Sequence, residues 1–174
     1  MADFDIYSPG DIFDSRDVIE RFEELEAEHD LLQEAIDDAA EALDVANGEV
    51  EDFNRGEGSM VDGVAAEVAQ GIAEVNLKEA ETAMETWDSY DEFMALKRFV
   101  DSAKDYGDWD HGETFIADSY FEDYAQELAE DIGGAAIREA EWPMNCIDWA
   151  QAAAQLQSDY TSYEIEGKTY WARS

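Results

Sequence analysis

Cysteine, proline, histidine and basic residues are all scarce in this sequence. Its 174 residues include one Cys, Cys146, two Pro, two His and ten Lys and Arg together. A lone cysteine excludes an internal disulfide, which fits a reducing compartment. A zinc site needs three or four nitrogen or sulfur ligands, and two distant histidines with one cysteine do not supply them. We therefore expect no metal and no cofactor.

Membrane spans and targeting segments are also lacking. No run approaches the roughly 18 apolar residues of a spanning helix. The N-terminus, Met1-Ala2-Asp3-Phe4-Asp5, has neither the basic nor the apolar region of a signal peptide. We expect no membrane contact and a cytoplasmic location in a host cell.

Catalytic motifs are equally sparse. No glycine-rich loop precedes Lys-Ser or Lys-Thr, and His29, His111 and Cys146 lie in no recognisable nucleophile setting. Paired carboxylates could perform acid-base chemistry only if one were buried with a raised pKa, and no particular pair is indicated. The expectation is therefore that the protein is not an enzyme.

The excess of acidic residues is the strongest compositional signal. The 46 Asp and Glu residues give a formal net charge of −36, which repels nucleic acid and favours salt-sensitive association with a basic surface. Salt adaptation, solubility and cation binding are competing explanations. Hydrophobic residues at 45% and aromatic residues at 12% suffice for a folded core and argue against disorder.

An apolar seam of heptad type runs through residues 17–53. It predicts a long helix that packs lengthwise on another helix, within the chain or between chains. Asp14 or Ser15 is the expected N-cap, and Asn47-Gly48 is a C-cap signal where the helix would bend or restart. The seam consists of Val18, Phe22, Leu25, His29, Leu32, Ile36, Ala39, Leu43, Ala46, Val50 and Phe53.

Between the seam positions, residues 17–53 carry 15 acidic residues and one basic residue, Arg21. A helix of this length extends about 55 Å, so a carboxylate recurs about every 3.7 Å of axis. One strand of B-DNA carries a phosphate about every 3.4 Å. The spacing favours a surface that imitates DNA, and an ordinary acidic coiled coil is the alternative.

The sequence pattern of residues 54–110 predicts a linker that is followed by helices. Glycines mark the linker, which leads to a second amphipathic helix and then to a third that begins after Ser89, with Glu92 completing a capping box. The second helix is expected to pack through Val61, Val64, Ala65, Val68, Ile72 and Val75. We expect Lys97, Arg98 and Lys104 of the third helix to pair with acids of the long helix.

The last part of the chain predicts a small α+β region. Asp118 or Ser119 caps a helix that ends at Gly133-Gly134, and a hairpin turns at Glu166-Gly167-Lys168. The predicted fold is mainly α, with a long heptad-patterned N-terminal helix packed on further helices and a C-terminal part that ends in a β-hairpin. The predicted domains are 1–53, 54–110 and 111–174.

The C-terminal third of the chain also carries a family resemblance. The segment YFEDYAQELAEDIG from Tyr120 is followed by Trp142-Pro143, Ile147-Asp148-Trp149, Ala152-Ala153, Leu156, Asp159-Tyr160 and Tyr170-Trp171-Ala172-Arg173. This order resembles the C-terminal part of ArdA-type antirestriction proteins and related phage-encoded proteins. The part of the chain before His111 does not resemble that family. The resemblance implies a DNA mimic, since the family consists of elongated, acidic, mostly dimeric proteins that occupy the DNA site of type I restriction-modification enzymes.

The expected function is therefore that of an anti-defence protein from a phage or mobile element. It would occupy the basic DNA-binding groove of a type I restriction-modification enzyme or CRISPR effector. It would not bind nucleic acid directly. The sequence allows either a monomer or a homodimer. The alternative is an acidic helical adaptor that binds a partner helix through the seam. The candidate partner-binding acids are Glu20, Glu23, Glu24, Asp30, Glu34, Asp37, Asp38, Glu41, Asp44, Glu122, Asp123, Glu127, Glu130 and Asp131.

Overall fold

The computed structural model describes residues 4–105, 107–139, 141–142 and 145–173. Pro143, part of the family motif, lies outside the described residues. Short 3₁₀ turns at Asp118–Tyr120 and Gln157–Asp159 flank the helices. The other elements are β1 (Ile12–Asp14), α1 (Ser15–Asn54), α2 (Met60–Glu85), α3 (Tyr90–Ala103), α4 (Trp109–Gly112), β2 (Thr114–Ala117), α5 (Phe121–Gly133), α6 (Ala135–Arg138), α7 (Trp149–Leu156), β3 (Tyr160–Ile165) and β4 (Lys168–Arg173).

The predicted fold class is confirmed, because the chain is mainly helical with a small C-terminal β part. It divides into two compact units, Glu24–Tyr90 and Met1–Glu23 with Asp91–Ser174. The boundaries of these units differ from those of the predicted segments 1–53, 54–110 and 111–174. The reason is that β1, near the N-terminus, pairs with β2, which lies far along the chain. Within the described residues, none of the helices combines the length and apolarity needed to cross a bilayer.

The unit Glu24–Tyr90 is a helical hairpin, which we call the hairpin unit. Its seam residues on α1 are buried or half-buried. Near the loop, the Phe53 ring lies against Gly63, and Gln70 Nε2 donates to Asn47 Oδ1 at 2.7 Å. At the other end, the Trp87 ring centroid lies 6.1 Å from that of His29. The seam therefore packs within the chain.

The C-terminal end of α1 differs from the prediction. The helix does not stop at Asn47-Gly48 but continues to Asn54, because Ala46 and Val50 on either side are held in the packed seam. The loop that follows contains Gly56 and Gly58, both at positive φ. Ser59 then caps α2 in a capping box with Asp62.

The packed face of α2 also corrects the sequence prediction. Its buried residues are Gly63, Ala66 and Ala73, whose small size lets the helix approach the larger seam side chains of α1. The aliphatic face predicted to pack is exposed, and its members form what we call the aliphatic stripe. The stripe consists of Val61, Val64, Val68, Ile72 and Val75.

The other unit, which we call the sheet unit, contains a four-stranded antiparallel sheet in the order β1-β2-β4-β3. The predicted hairpin is confirmed as β3 and β4. Its two turn residues, Glu166 and Gly167, both have positive φ, as in the tight turns that match the twist of a hairpin. The short strand β1 was not predicted.

Alternating residues of β2 place two aromatic layers on opposite faces of this sheet. On one face, Phe115 stacks on Phe13 with ring centroids 5.0 Å apart, and Phe99 of α3 meets Phe115 edge-on. On the other face, Ile116 packs with Phe121 of α5 and Ala153 of α7.

The contacts of the basic residues in and just after α3, and of Glu92 in its first turn, also differ from the prediction. Lys97, Arg98 and Lys104 do not pair with acids of the long helix: Lys97 Nζ lies over the Phe93 ring, Arg98 reaches Glu166 and Lys104 reaches Asp101. Glu92, which the sequence predicts in a capping box with Ser89, accepts two hydrogen bonds from Arg21, at 2.8 and 2.9 Å.

Of the two predicted N-cap residues of α1, Asp14 makes the capping hydrogen bond. Asp14 Oδ1 accepts from the Arg16 backbone N–H at 2.8 Å, so Asp14 is the residue that satisfies the first turn. Ser15 is fully buried instead, and its hydroxyl bonds the backbone of Trp109 and Glu113.

Candidate partner-binding surface

Five of the predicted acids lie along one side of α1 in the hairpin unit. They follow one another at steps of four, three, four and three residues, which places them on a single helix face. Because the seam occupies the positions between them, this face lies on the side of α1 opposite the seam. We call this face the acidic ridge, and it consists of Asp30, Glu34, Asp37, Glu41 and Asp44.

All five ridge side chains are exposed. Within the described residues, Asp30 is the only member near a potential cation, since His29 Nδ1 lies 3.4 Å from its carboxylate. Asp37 accepts a hydrogen bond from the neutral amide of Gln33 at 2.9 Å. The ridge thus presents a row of carboxylates, about 5 Å apart along the axis, for which the described residues supply no Lys or Arg partner.

Charge is concentrated in the hairpin unit as a whole. Its 20 acidic residues are offset only by Arg55 and Lys78, which leaves a net charge of −18. The sheet unit has 26 acidic and 8 basic residues, so it carries the same net charge over a considerably longer part of the chain. The hairpin unit therefore carries the higher charge density, although the family resemblance lies in the sheet unit.

The predicted acids of α5, the helix that contains the start of the family motif, differ in exposure and in hydrogen bonding. Glu122, Asp123 and Asp131 are exposed. Glu127 is exposed but accepts a hydrogen bond from the Tyr120 hydroxyl at 2.8 Å, and this contact is the largest cause of the raised pKa of Tyr120. Glu130 is half-buried and accepts from Gln126. Two of the five acids are thus engaged in local hydrogen bonds.

The remaining predicted acids lie beside these faces. Glu20 and Glu23 are exposed on the part of α1 that belongs to the sheet unit. Glu24 and Asp38 are exposed in the hairpin unit, off the ridge.

Sequence reasoning missed two ridge members. Glu26 and Glu51 are exposed and continue the ridge in both directions, because they lie four residues before Asp30 and seven after Asp44. This spacing was visible in the sequence as the complement of the apolar seam.

Metal ligation has no structural support in the described part of the chain. No three His, Cys, Asp or Glu side chains converge there as metal ligands do. Cys146 is exposed. The pKa of Tyr160 is raised by burial and by its hydrogen bond with Tyr124, and a raised pKa keeps a phenol neutral.

Comparison with known proteins leaves the relationship open. The chain matches no protein-family model, no curated protein and no solved structure. The resemblance to the antirestriction family therefore depends on the quoted C-terminal residues alone.

Proposed function

We propose that this protein is a DNA mimic that inhibits a host defence nuclease by occupying its basic DNA-binding groove. The target class is a type I restriction-modification enzyme or a CRISPR effector. The observation that supports this proposal best is the acidic ridge, where exposed carboxylates follow one helix face with no Lys or Arg partner in the described residues.

A groove that binds DNA is lined with Lys and Arg placed to neutralise phosphates, and much of its affinity does not depend on base sequence. A protein can enter such a groove if it offers negative charge on a rigid rod of suitable width. Residues 24–54 of α1 offer 12 acidic residues, all of them exposed, or one about every 3.9 Å of helix axis. The phosphates of one DNA strand recur about every 3.4 Å.

The ridge lies on a single uninterrupted helix, α1. The seam of α1 is buried or half-buried in the hairpin unit, where Ala66 and Ala73 of α2 are buried as well, so the backbone that carries the carboxylates is ordered before binding. A preorganised row of charges loses less conformational entropy on binding than a disordered acidic tail does.

The alternative function, an adaptor that binds a partner helix through the seam, has less support. The seam of the hairpin unit packs against α2, with Phe53 on Gly63 and Asn47 bonded to Gln70. A partner helix would have to displace α2 before it could reach these residues.

Salt dependence of binding tests the proposal. The purified chain is titrated against a type I restriction-modification enzyme and a CRISPR effector between 50 and 200 mM salt, with duplex DNA as competitor. For contacts equivalent to six to ten phosphates, affinity falls about 10³-fold or more over this range, and DNA competes. An affinity that stays flat with salt, or a ternary complex with DNA, contradicts mimicry.

Salt adaptation is the main competing explanation of the charge. Under it, self-repulsion of the acidic surface keeps the chain unfolded until salt screens it. Under the mimic proposal, the chain folds at 50 mM salt, because it must act where its target binds DNA. Far-UV circular dichroism at 50 mM and 2 M salt separates the two explanations.

A further inference from the structure

The hairpin unit carries a surface of the opposite character to the acidic ridge. Every member of the aliphatic stripe on α2 is more than half exposed, from 55% at Val75 to 77% at Val61. The members recur at steps of three and four residues, so they line one side of α2 over about 21 Å. Continuous exposed aliphatic surfaces of this extent on a folded protein mark interaction sites.

Ile72 connects this stripe to an open groove between the two helices. The groove has a volume of about 660 Å³, and Val45 on α1 and Ile72 on α2 stand on either side of it, 59% and 57% exposed. Small side chains line the rest of its apolar surface: Ala42, Ala46, Ala69 and Ala73, of which Ala46 and Ala73 are buried. A groove lined by alanines and two larger aliphatic side chains fits the apolar side of one α-helix.

The border of the groove is charged on one side only. Asp38, Glu41 and Glu49 of α1 line it, whereas Asn76 is its polar residue on α2. All three carboxylates are exposed. An occupant that places Lys or Arg along the flank facing α1 would meet three unlike charges, and a neutral or acidic occupant would not.

This charge distribution argues against a second copy of the chain as the occupant. Each hairpin unit carries 20 acidic and 2 basic residues in all, and the carboxylates bordering one groove would approach those of the other copy. Like charges brought together at an interface cost several kcal/mol. A cationic helix has no such cost.

We propose that the groove between α1 and α2 is a docking site for an amphipathic α-helix of a partner protein, with Leu or Ile on one side and Lys or Arg along one flank. The site is separate from the acidic ridge, with Glu41 as the one residue that belongs to both. It therefore gives the chain a second mode of recognition, which depends on apolar contact as well as on charge.

The probe for this site is a synthetic 18-residue peptide with Leu at steps of three and four and Lys on the flanks. A scrambled peptide of the same composition, which cannot form an apolar side, is the control for simple charge attraction. Binding is measured by peptide fluorescence anisotropy and by ¹⁵N–¹H chemical-shift changes of the full chain. The expected result is that the amphipathic peptide binds at least 10-fold more tightly than the scrambled one and shifts Val45 and Ile72.

Two variants test the apolar contact from opposite walls. Ile72→Asp and Val45→Asp each make the chain more negative, so charge attraction alone predicts stronger binding of a Lys-rich peptide. The docking site predicts binding at least 10-fold weaker for both. The matched control is Ile132→Asp on α5 of the sheet unit, where the isoleucine is 81% exposed, and this variant should bind as the unaltered chain does.

Three results would overturn the proposal. The first is equal binding of the amphipathic and scrambled peptides. The second is unchanged or stronger binding by Ile72→Asp and Val45→Asp. The third is a dimer in sedimentation equilibrium that Ile72→Asp dissociates, because a second copy would then cover the groove.

Discussion

Phe53 and Gly63 pack so closely that a side chain on Gly63 has no room. A Cβ atom built there would lie 2.4 Å from the Phe53 ring, which is far inside van der Waals contact. Gly63→Ala should therefore lower the free energy of unfolding by about 1 kcal/mol, because the cost of overpacking exceeds the helix propensity gained. Urea unfolding followed by circular dichroism measures the change.

Gly71 is the matched control for that substitution. It lies in the same helix, and nothing stands within 4 Å of its Cβ position. Gly71→Ala should raise the free energy of unfolding by up to about 1 kcal/mol. If both substitutions stabilise the protein equally, Phe53 does not pack on Gly63.

The ion pair between Arg21 and Glu92 is the half-buried pair of the sheet unit. Their side chains are 25% and 19% exposed, and two hydrogen bonds join them. Glu92→Gln should cost about 1 to 2 kcal/mol of stability, between the values typical of surface and buried pairs. Glu166→Gln, at the exposed pair with Arg98, should cost less than about 0.5 kcal/mol, and equal losses would contradict this ranking.

Ser15 is a buried hydroxyl that completes the contact between α1 and the α4 region. It donates to the Trp109 carbonyl at 2.7 Å and accepts from the Glu113 N–H at 2.8 Å. Ser15→Ala should cost about 2 to 3 kcal/mol, because it leaves buried backbone groups without a partner. The exposed Ser119 provides the control, and a loss at Ser15→Ala no larger than that at Ser119→Ala would exclude the role given to this hydroxyl.

Acid should loosen the start of α2 through Asp62. Hydrogen bonds from the Ser59 backbone and side chain lower the pKa of Asp62 below its usual 3.8. A carboxyl with a lowered pKa in the folded state contributes stability that is present above pH about 4 and is lost as the pH falls through the folded pKa. Asp62→Asn should remove this part of the acid sensitivity, measured by amide exchange at the first turn of α2 between pH 3 and 6. Identical pH profiles for variant and unaltered chain would refute it.

The seam shows how much of the fold could be read from the sequence. Its residues are buried or half-buried from Val18 to Phe53, because a heptad pattern places its apolar side chains on one face of the helix. The same regularity allowed the exposed positions of the acids to be predicted. The ridge follows from the seam, since positions that alternate with a packed face must face solvent.

Other features could not be predicted because they depend on distant partners. The strand β1 is short and exists because Phe13 pairs with Phe115 across the sheet. On α2, the valines are more hydrophobic than Gly63, Ala66 and Ala73, so the sequence predicted that the valine face would pack. The small residues are the buried ones, because they leave room for the bulky side chains of the seam. The hydrophobic pattern of a sequence shows which face of a helix is apolar. Which face packs depends on how well its side chains fit those of the neighbouring helix.

The most direct test of mimicry compares two variants of equal net charge. The ridge variant carries Asp30→Asn, Glu34→Gln, Asp37→Asn, Glu41→Gln and Asp44→Asn. The control variant neutralises five exposed acids of the sheet unit, Asp105, Asp110, Glu139, Glu141 and Glu164. Affinity for the defence nuclease that binds the unaltered chain is measured at 100 mM salt. Mimicry by the ridge predicts about 70-fold weaker binding for the ridge variant, at roughly 0.5 kcal/mol per exposed pair, and a change of less than about 3-fold for the control. Equal losses in the two variants would mean that total charge, and not the ridge, determines binding, and would contradict the account.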